Sequence, residues 1–321
     1  MLISKISTFC ARAALAAVLS GIALAATGCS RPSVADATPE ARGHRLRIGM
    51  SFQELDNPYF TVMKEALDDA GRSLGAEVFV TDARHDLMKQ IGDIEDLLQR
   101  RIDILLLNPT DSAGVEGAVR EARNAGVVVI AVDAQASGPI DAFVGSRNFD
   151  AGRLAGEHLG RVIDGHGDVA ILDGIPVVPI LERVRGFKAG IAQHPGIRVV
   201  DIQNGRQERS TALSVTENMI QAHPGLRGIF SVNDGGALGA LAAITGSGRD
   251  IALVSVDGLA EVVEAIVKGG PFKATVAQFP RDQVRIALGI ALAKHWGANI
   301  PPEIPIDVRL LTQENARGFA W

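Results

Sequence analysis

A chain of 321 residues is long enough for two domains or one large one. Hydrophobic residues make up 47% and charged residues 21%, which argues against disorder outside the ends. The formal charge of −5 becomes −7 for a chain beginning at Cys29, so a nucleic-acid or anionic-membrane surface is not expected.

The N-terminus reads as a targeting signal over residues 1–28. Lys5 and Arg12 supply its positive region, and Ala13 to Ala26 is an apolar run too short to span a bilayer comfortably. Two cleavage sites fit. Ala26-Thr27-Gly28-Cys29 resembles a lipoprotein processing box, in which Cys29 is acylated and becomes the first residue, although Ala26 stands where a larger aliphatic residue is usual. Ala35-Asp36-Ala37 would instead release a soluble protein. Cys29 follows the apolar run directly, which favours the lipid anchor. Cys10 lies inside the signal, so no internal disulfide is expected in the mature chain. Residues 29–43 are polar and rich in Pro and Ala, a flexible tether.

From residue 46 onward, short β-branched runs alternate with helical patterns. Strands are predicted over 46–52, 77–81, 102–108, 127–133, 142–145, 168–172, 197–202, 228–233, 251–257 and 273–278. Several, such as Ile104-Leu105-Leu106-Leu107, are continuously apolar, the mark of parallel strands covered on both faces. Between them, Met63, Leu67, Ala70 and Leu74 form one helical stripe. Leu87, Ile91, Ile94 and Leu98 form a second, and Val284, Leu288, Ala291 and His295 a third. A strand and a helix every 25 to 30 residues or so is the βαβ rhythm of an α/β fold. One sheet of all these strands would be unusually wide, so two sheets split near Ser146 are expected, their carboxyl edges facing across a cleft.

Those carboxyl edges are where α/β proteins bind ligands. After the first strand comes Asn57-Pro58-Tyr59-Phe60, an amide beside two rings, suited to a molecule with hydroxyls on its rim and C–H bonds on its faces. The alternative is that Asn-Pro only starts a helix and the rings are core. Further along, Asn108, Asp133, Asn233, Asp257 and Gln278 each end an apolar strand. Asn and Asp commonly start turns and cap helices, which accounts for any one of them. It does not account for Gln278, a poor cap.

The order of these stretches resembles the periplasmic sugar-binding proteins of the ribose-binding type, the solute-binding components of ABC transporters. The matching stretches include Asn57-Pro58-Tyr59-Phe60, Leu106-Leu107-Asn108-Pro109-Thr110-Asp111, Val129-Ile130-Ala131-Val132-Asp133 and Glu182-Arg183-Val184-Arg185-Gly186-Phe187. Val232-Asn233-Asp234, Val256-Asp257-Gly258 and Thr275-Val276-Ala277-Gln278 follow in the same order. The resemblance implies a type I periplasmic binding protein fold, two Rossmann-like doubly wound lobes with a three-strand hinge and the ligand between them. The first lobe would hold residues 44–145 plus 279–306, the second 146–278 plus 307–321. It implies that Asn57, Asn108 and Asp133 meet sugar hydroxyls from the first lobe while Tyr59 and Phe60 stack on the ring. Arg183, Asn233, Asp257 and Gln278 would close from the second. Permease and ATPase subunits are the implied partners, and a monomer the implied state. Two positions depart from the pattern: Ala134 stands where an Arg usually follows the strand-end Asp, and Gln207 where an aromatic is usual. The expected ligand is therefore a neutral monosaccharide or polyol shaped differently from ribose.

No catalytic, nucleotide-binding or metal pattern competes with this reading. Neither G-x-G-x-x-G nor a P-loop occurs, no G-x-S-x-G elbow is present, and the seven His residues never fall at ligand spacing. Asp164-Gly165-His166-Gly167-Asp168 lacks the later residues of a calcium loop and reads as a turn. No cofactor and no enzymatic activity are expected. A sugar sensor presenting its ligand to a chemoreceptor or sensor kinase would use the same cleft.

Overall fold

A computed structural model describes residues 45–321, so the signal, the tether, Cys29 and the Ala35-Asp36-Ala37 site lie outside the described residues. The first half runs β1 (Arg47–Phe52), α1 (Pro58–Leu74), β2 (Glu77–Asp82), α2 (Leu87–Gln99), β3 (Ile104–Leu107), α3 (Glu116–Asn124), β4 (Val128–Val132) and β5 (Ala142–Ser146). The second runs α4 (Asn148–Val162), β6 (His166–Asp173), α5 (Val178–Ile191), β7 (Gly196–Asn204), α6 (Arg209–Ala222), β8 (Leu226–Ser231), α7 (Asp234–Ser247), β9 (Ala252–Asp257), α8 (Ala260–Lys268) and β10 (Phe272–Ala277). Three elements complete it: α9 (Pro280–His295), β11 (Glu303–Ile306) and β12 (Arg309–Thr312).

The strands form two six-stranded sheets, ordered β2-β1-β3-β4-β5-β11 and β7-β6-β8-β9-β10-β12. All pairings are parallel except β12 against β10. Each sheet is thus doubly wound, with the order reversing beside β1 in one and β6 in the other. The chain passes between sheets three times: from β5 to α4, from β10 to α9, and from β11 to β12. Arg147 and Asp307 tie the first and third passages together with a 2.9 Å ion pair.

Two-sided burial explains the continuous apolar runs. In β3, Ile104 and Leu106 pack with α1 and α9, whereas Leu105 and Leu107 pack with α2 and α3. In the second sheet, Ile229 faces the layer of α6, α7 and α8, and Phe230 that of α4 and α5. Period-two alternation therefore feeds two cores per sheet, each large side chain contributing ~1.5–3 kcal/mol.

The structure departs from the sequence reading at the edges. β11 and β12 went unpredicted because they are short, only partly buried edge strands, and Pro305 interrupts the pattern in one of them. In α1 the buried line runs through Ala66, Leu67 and Gly71, leaving Leu74 47% exposed. His295 likewise points to solvent at the end of α9. The Asp164–Asp168 segment is the turn and start of β6, with Asp164 and Gly165 at positive φ, and no cluster of metal-ligating side chains exists among the described residues. No described helix is long and apolar enough to cross a membrane.

Candidate functional site: a polar chamber between the sheets

The carboxyl edges of the two sheets meet around a small chamber of about 400 Å³ with its opening to solvent included. The first sheet contributes Gln53, Asn57, Tyr59, Phe60, Asp133 and Ala134; the second contributes Val177, Pro179, Ile180, Arg183, Gln207, Asn233, Asp257 and Gln278. Of the nine binding residues expected from the sequence, eight reach this wall. Asn108 does not: it is fully buried behind Asp133.

On the first side, Asn57 caps α1 by accepting from the Tyr59 N–H at 3.0 Å, with Pro58 in the first turn. This start aims Tyr59 and Phe60 at the chamber while their far edges join the core around Phe52 and Met63. The stretch thus starts a helix and lends its rings to the core, and the same rings line the chamber. The rings meet edge to face at 5.3 Å, which fixes both planes. The Tyr59 hydroxyl donates to Asp133 Oδ1 at 3.2 Å and accepts from Gln283 Nε2 at 2.8 Å. Asn108 donates to Asp133 Oδ2 at 3.1 Å, and its own Oδ1 accepts from the Gln53 N–H at 3.2 Å. Behind it, Gln90 donates to the Asn108 carbonyl at 2.9 Å.

Asp133 sits at φ 67°, a left-handed conformation that Asp tolerates better than most residues. Burial pushes its carboxyl up to about 6, with the negative charge of Asp257 adding to the rise. The Arg183 charge and the Tyr59 and Asn108 hydrogen bonds oppose this without cancelling it. Burial above all, then the carboxylates of Asp133 and Asp257, hold the Tyr59 hydroxyl protonated far above the usual range.

On the second side, close helix contact sets the geometry. Gly152 and Gly156 of α4 face Gly186 and Gly190 of α5, and a Cβ on Gly152 would fall 1.9 Å from the Arg183 carbonyl oxygen. Only hydrogen fits there, so the two backbones touch. That contact brings Asn148 to Arg183, whose Nε donates to Asn148 Oδ1 at 2.8 Å. Arg183 Nη1 donates to the Val232 carbonyl at 2.8 Å and to Asp257 Oδ1 at 3.3 Å. Gln278 Nε2 donates to the same carboxylate oxygen at 2.7 Å. Beneath it lies Asp234, which accepts from Ser255 and Thr275 hydroxyls and from the N–H groups of Gly258 and Leu259. This holds the turn after Asp257, whose φ of 142° is rare for a residue with a side chain. Burial raises the Asp257 carboxyl despite the adjacent Arg183.

Asn233 caps α7 by accepting from the Gly236 N–H at 3.0 Å, and its amide reaches the Gln207 carbonyl at 3.3 Å. The buried oxygens Gln53 Oε1 and Gln278 Oε1 have no hydrogen-bond partner among the described residues, and both residues line the chamber. Unpaired buried acceptors are costly, so a hydroxyl donor placed here would be strongly favoured.

Residues 48–296 match the family described as periplasmic binding protein domain. The chain belongs to the periplasmic binding protein family. Its ribose-binding branch consists of solute-binding transport components, exported to the periplasm, rather than enzymes. Among its relatives is the ribose import binding protein RbsB of Bacillus subtilis (strain 168), 35% identical over 90% of this chain and 95% of that protein. A solute-binding protein of an ABC transporter from Mycobacterium smegmatis, solved with bound glycerol, superposes with TM-score 0.82 at 30% identity, covering 85% of this chain and 96% of that one. A periplasmic solute-binding protein of Actinobacillus succinogenes 130z, solved with bound D-allose, gives TM-score 0.81 at 28% identity, covering 86% and 100%.

Within this periplasmic binding protein, the two unusual positions are both at the chamber wall. Ala134 offers no donor there, and Gln207, at φ 63°, turns its amide oxygen to the Ile175 N–H at 3.2 Å. Where an aromatic was missing from the second side, Val177, Pro179 and Ile180 supply an aliphatic surface. The sequence reading missed these three, and Gln53, Asn148, Asp234 and Gln283 as well. Gln53 directly follows β1 and met the strand-end criterion applied elsewhere. Gln283 interrupts the apolar stripe of α9 yet is fully buried.

Proposed function

We propose that this protein is the solute-binding component of an ABC import system and binds one monosaccharide or polyol in the chamber. The observation that carries this reading is the pairing of polar rim and apolar faces. Asp133, Asp257, Gln53 and Gln278 offer acceptors, Arg183 and Asn233 offer donors, and Tyr59, Phe60, Val177 and Ile180 offer C–H and ring surfaces. A sugar ring has hydroxyls around its edge and C–H bonds above and below, so it can satisfy both sets.

Binding proceeds by bending at the three passages between sheets. Because acceptors stand on both lobes, a ligand touching both favours the closed state, and the closed shape is the one presented to permease and ATPase subunits. The protein acts as a monomer, held to the membrane by acylation of Cys29. The apolar run ending at Ala26, followed at once by Thr27-Gly28-Cys29, supports the anchor. Mass spectrometry of the processed N-terminus tests it: a soluble chain starting at Thr38 would overturn it.

Ribose is not the preferred ligand in this proposal. Ala134 removes one forked donor and Gln207 removes a flat ring, which leaves room for a sugar or polyol of other shape. A thermal-shift panel of pentoses, hexoses, polyols and amino sugars, followed by calorimetry, tests both levels. Binding of no member would overturn the sugar reading, and ribose as the tightest ligand would overturn the preference.

A further inference from the structure

Trp321 follows β12 on the second lobe, yet its side chain packs against both lobes. It lies on the first lobe's core around Phe52, Tyr59 and Met63, and on the second lobe's core around Leu238, Leu259 and Ala316. Its ring meets Tyr59 edge to face, centroids 5.5 Å apart and planes at 84°. Its indole Nε1 donates to the carbonyl of Asp257 at 3.2 Å. The segment leading to it is fixed by Phe319, which meets the Phe279 ring at 6.2 Å and leaves little room over Gly258. One side chain thus touches the principal stacking residue of one lobe and the strained, carboxylate-bearing turn of the other.

Outside the chamber lies a larger cleft of about 1400 Å³ by the same measure. Trp321 lines it, together with Val62, Leu238 and Leu259. The two spaces share Asn57 and Gln207 as wall residues, so they abut. Tyr59 lines only the chamber, and Trp321 only the outer cleft. The indole therefore stands at the boundary, backing Tyr59.

We propose that Trp321 is a specificity-determining wall: it closes the chamber on the outer-cleft side and so confines the ligand to a single ring. The proposal rests on the sugar-binding reading above. The indole N–H bond to Asp257 ties the wall to the carboxylate turn, and the edge-on contact with Tyr59 joins the two lobes. Removing the indole takes away the backing of Tyr59, so that ring can turn aside and open a path from the chamber into the outer cleft, where a second ring can lie beside Val62, Leu238 and Leu259.

The test uses the full mature chain carrying Trp296→Phe. Trp296 is 74% exposed and remote from both cavities, so Trp321 is left as the sole indole. D-Ribose, D-allose and myo-inositol are titrated as one-ring probes, and the phenyl glycosides of D-ribose and D-allose as two-ring probes. In this background, the tightest one-ring probe is expected to reduce acrylamide quenching of Trp321. The phenyl glycosides are expected to bind at least about tenfold more weakly than their parent sugars, the cost of a clash in a packed wall.

Trp321→Ala is expected to weaken one-ring binding roughly two- to tenfold, the range of one lost aromatic pair, through faster release. It is also expected to abolish the discrimination against phenyl glycosides. Trp321→Phe keeps the ring and should retain the discrimination. A merely structural role would weaken both probe classes equally and leave their ratio unchanged, which would overturn the wall. If the background protein binds no one-ring probe and no other member of the pentose, hexose, polyol and amino-sugar panel, the sugar-binding reading itself fails, and the wall with it.

Discussion

Asp133 and Asp257 end the fourth strand in from the β2 edge of the first sheet and the β7 edge of the second, both at positive φ, and face one another across the chamber. Their supports differ. Asp133 is held by neutral donors, the Tyr59 hydroxyl and the Asn108 amide, backed by Gln283 and Gln90. Asp257 is held by a guanidinium and an amide, above a second buried carboxylate, Asp234, which fixes its turn. The adjacent strands repeat the contrast: Asn108 serves Asp133, whereas Asn233 caps a helix. Burial lifts carboxyls on both sides, Asp133 to about 6, Asp234 to about 7 and Asp257 upward despite Arg183, so mild acid reaches both lobes. A charged network holds its acid by Coulomb attraction and fails badly when one member is removed.

The largest effect should therefore come from breaking the charged side. Arg183→Ala leaves Asp257 without its cation and the Val232 carbonyl and Asn148 Oδ1 without their donor. Breaking such a buried pair costs about 3–5 kcal/mol. Denaturant unfolding should show a loss of that size, while Asn108→Ala on the neutral side should lose only about 1–3 kcal/mol. Equal losses would erase the distinction between the two supports.

Next come the carboxylates as ligand acceptors. Asp133→Ala and Asp257→Ala should each weaken binding by about 1–3 kcal/mol, by leaving ligand hydroxyls unpaired. Calorimetry on the panel's tightest ligand measures this. If neither variant changes the affinity, the chamber is not the binding site.

How far all this could be read from the sequence depends on what kind of feature is asked for. Strand runs such as Ile104–Leu107 were legible because two-sided burial demands unbroken apolar residues. Strand-end residues were visible as a series, Asn108, Asp133, Asn233, Asp257 and Gln278, although turn and cap chemistry accounts for any one of them except Gln278. β11 and β12 were not, since edge strands need satisfy only one neighbour and carry weak patterning. Nor was the second layer of the site. Gln283, Asp234 and Asn148 are far in sequence from the groups they support, except that Asp234 adjoins Asn233, and only packing brings them there. The α4–α5 contact was written in Gly152, Gly156, Gly186 and Gly190, whose four-residue spacing is visible but whose partner is not. The same holds for Trp321, more than 260 residues from the Tyr59 ring it touches.

A smaller effect is the pH response of Asp133. The Asp133 carboxyl lies near 6 in the folded protein against an ordinary 3.8, so the folded state holds its proton more tightly than the unfolded state. Its contribution to stability is then full below about pH 3.8 and is lost as pH rises through 6. Ligand binding runs the other way, because the ionised form is the stronger acceptor for a ligand hydroxyl. Affinity should fall up to about tenfold from pH 7 to pH 5, roughly the ionised fraction lost. Asp133→Asn should weaken both trends, leaving the share of the raised Asp234 and Asp257, and calorimetry in buffers of different ionisation enthalpy should register more proton release on binding to the wild type near pH 6 than to the variant.

The smallest effect isolates a single oxygen. Tyr59→Phe keeps the ring, its edge contact with Phe60 and its contact with Trp321, and removes only the hydroxyl between Asp133 and Gln283. Gln283 Nε2 retains the Ser146 hydroxyl at 2.8 Å, so the cost to the fold should stay within about 0.5–1.5 kcal/mol. Asp133 loses a donor that favours its charged form, so its carboxyl must move further up. The midpoint of the affinity–pH curve should rise with it, while affinity well above that midpoint changes little. An unmoved midpoint would mean that burial and the charges of Arg183 and Asp257 set the Asp133 carboxyl, and that the Tyr59 hydroxyl positions the side chain without tuning its charge.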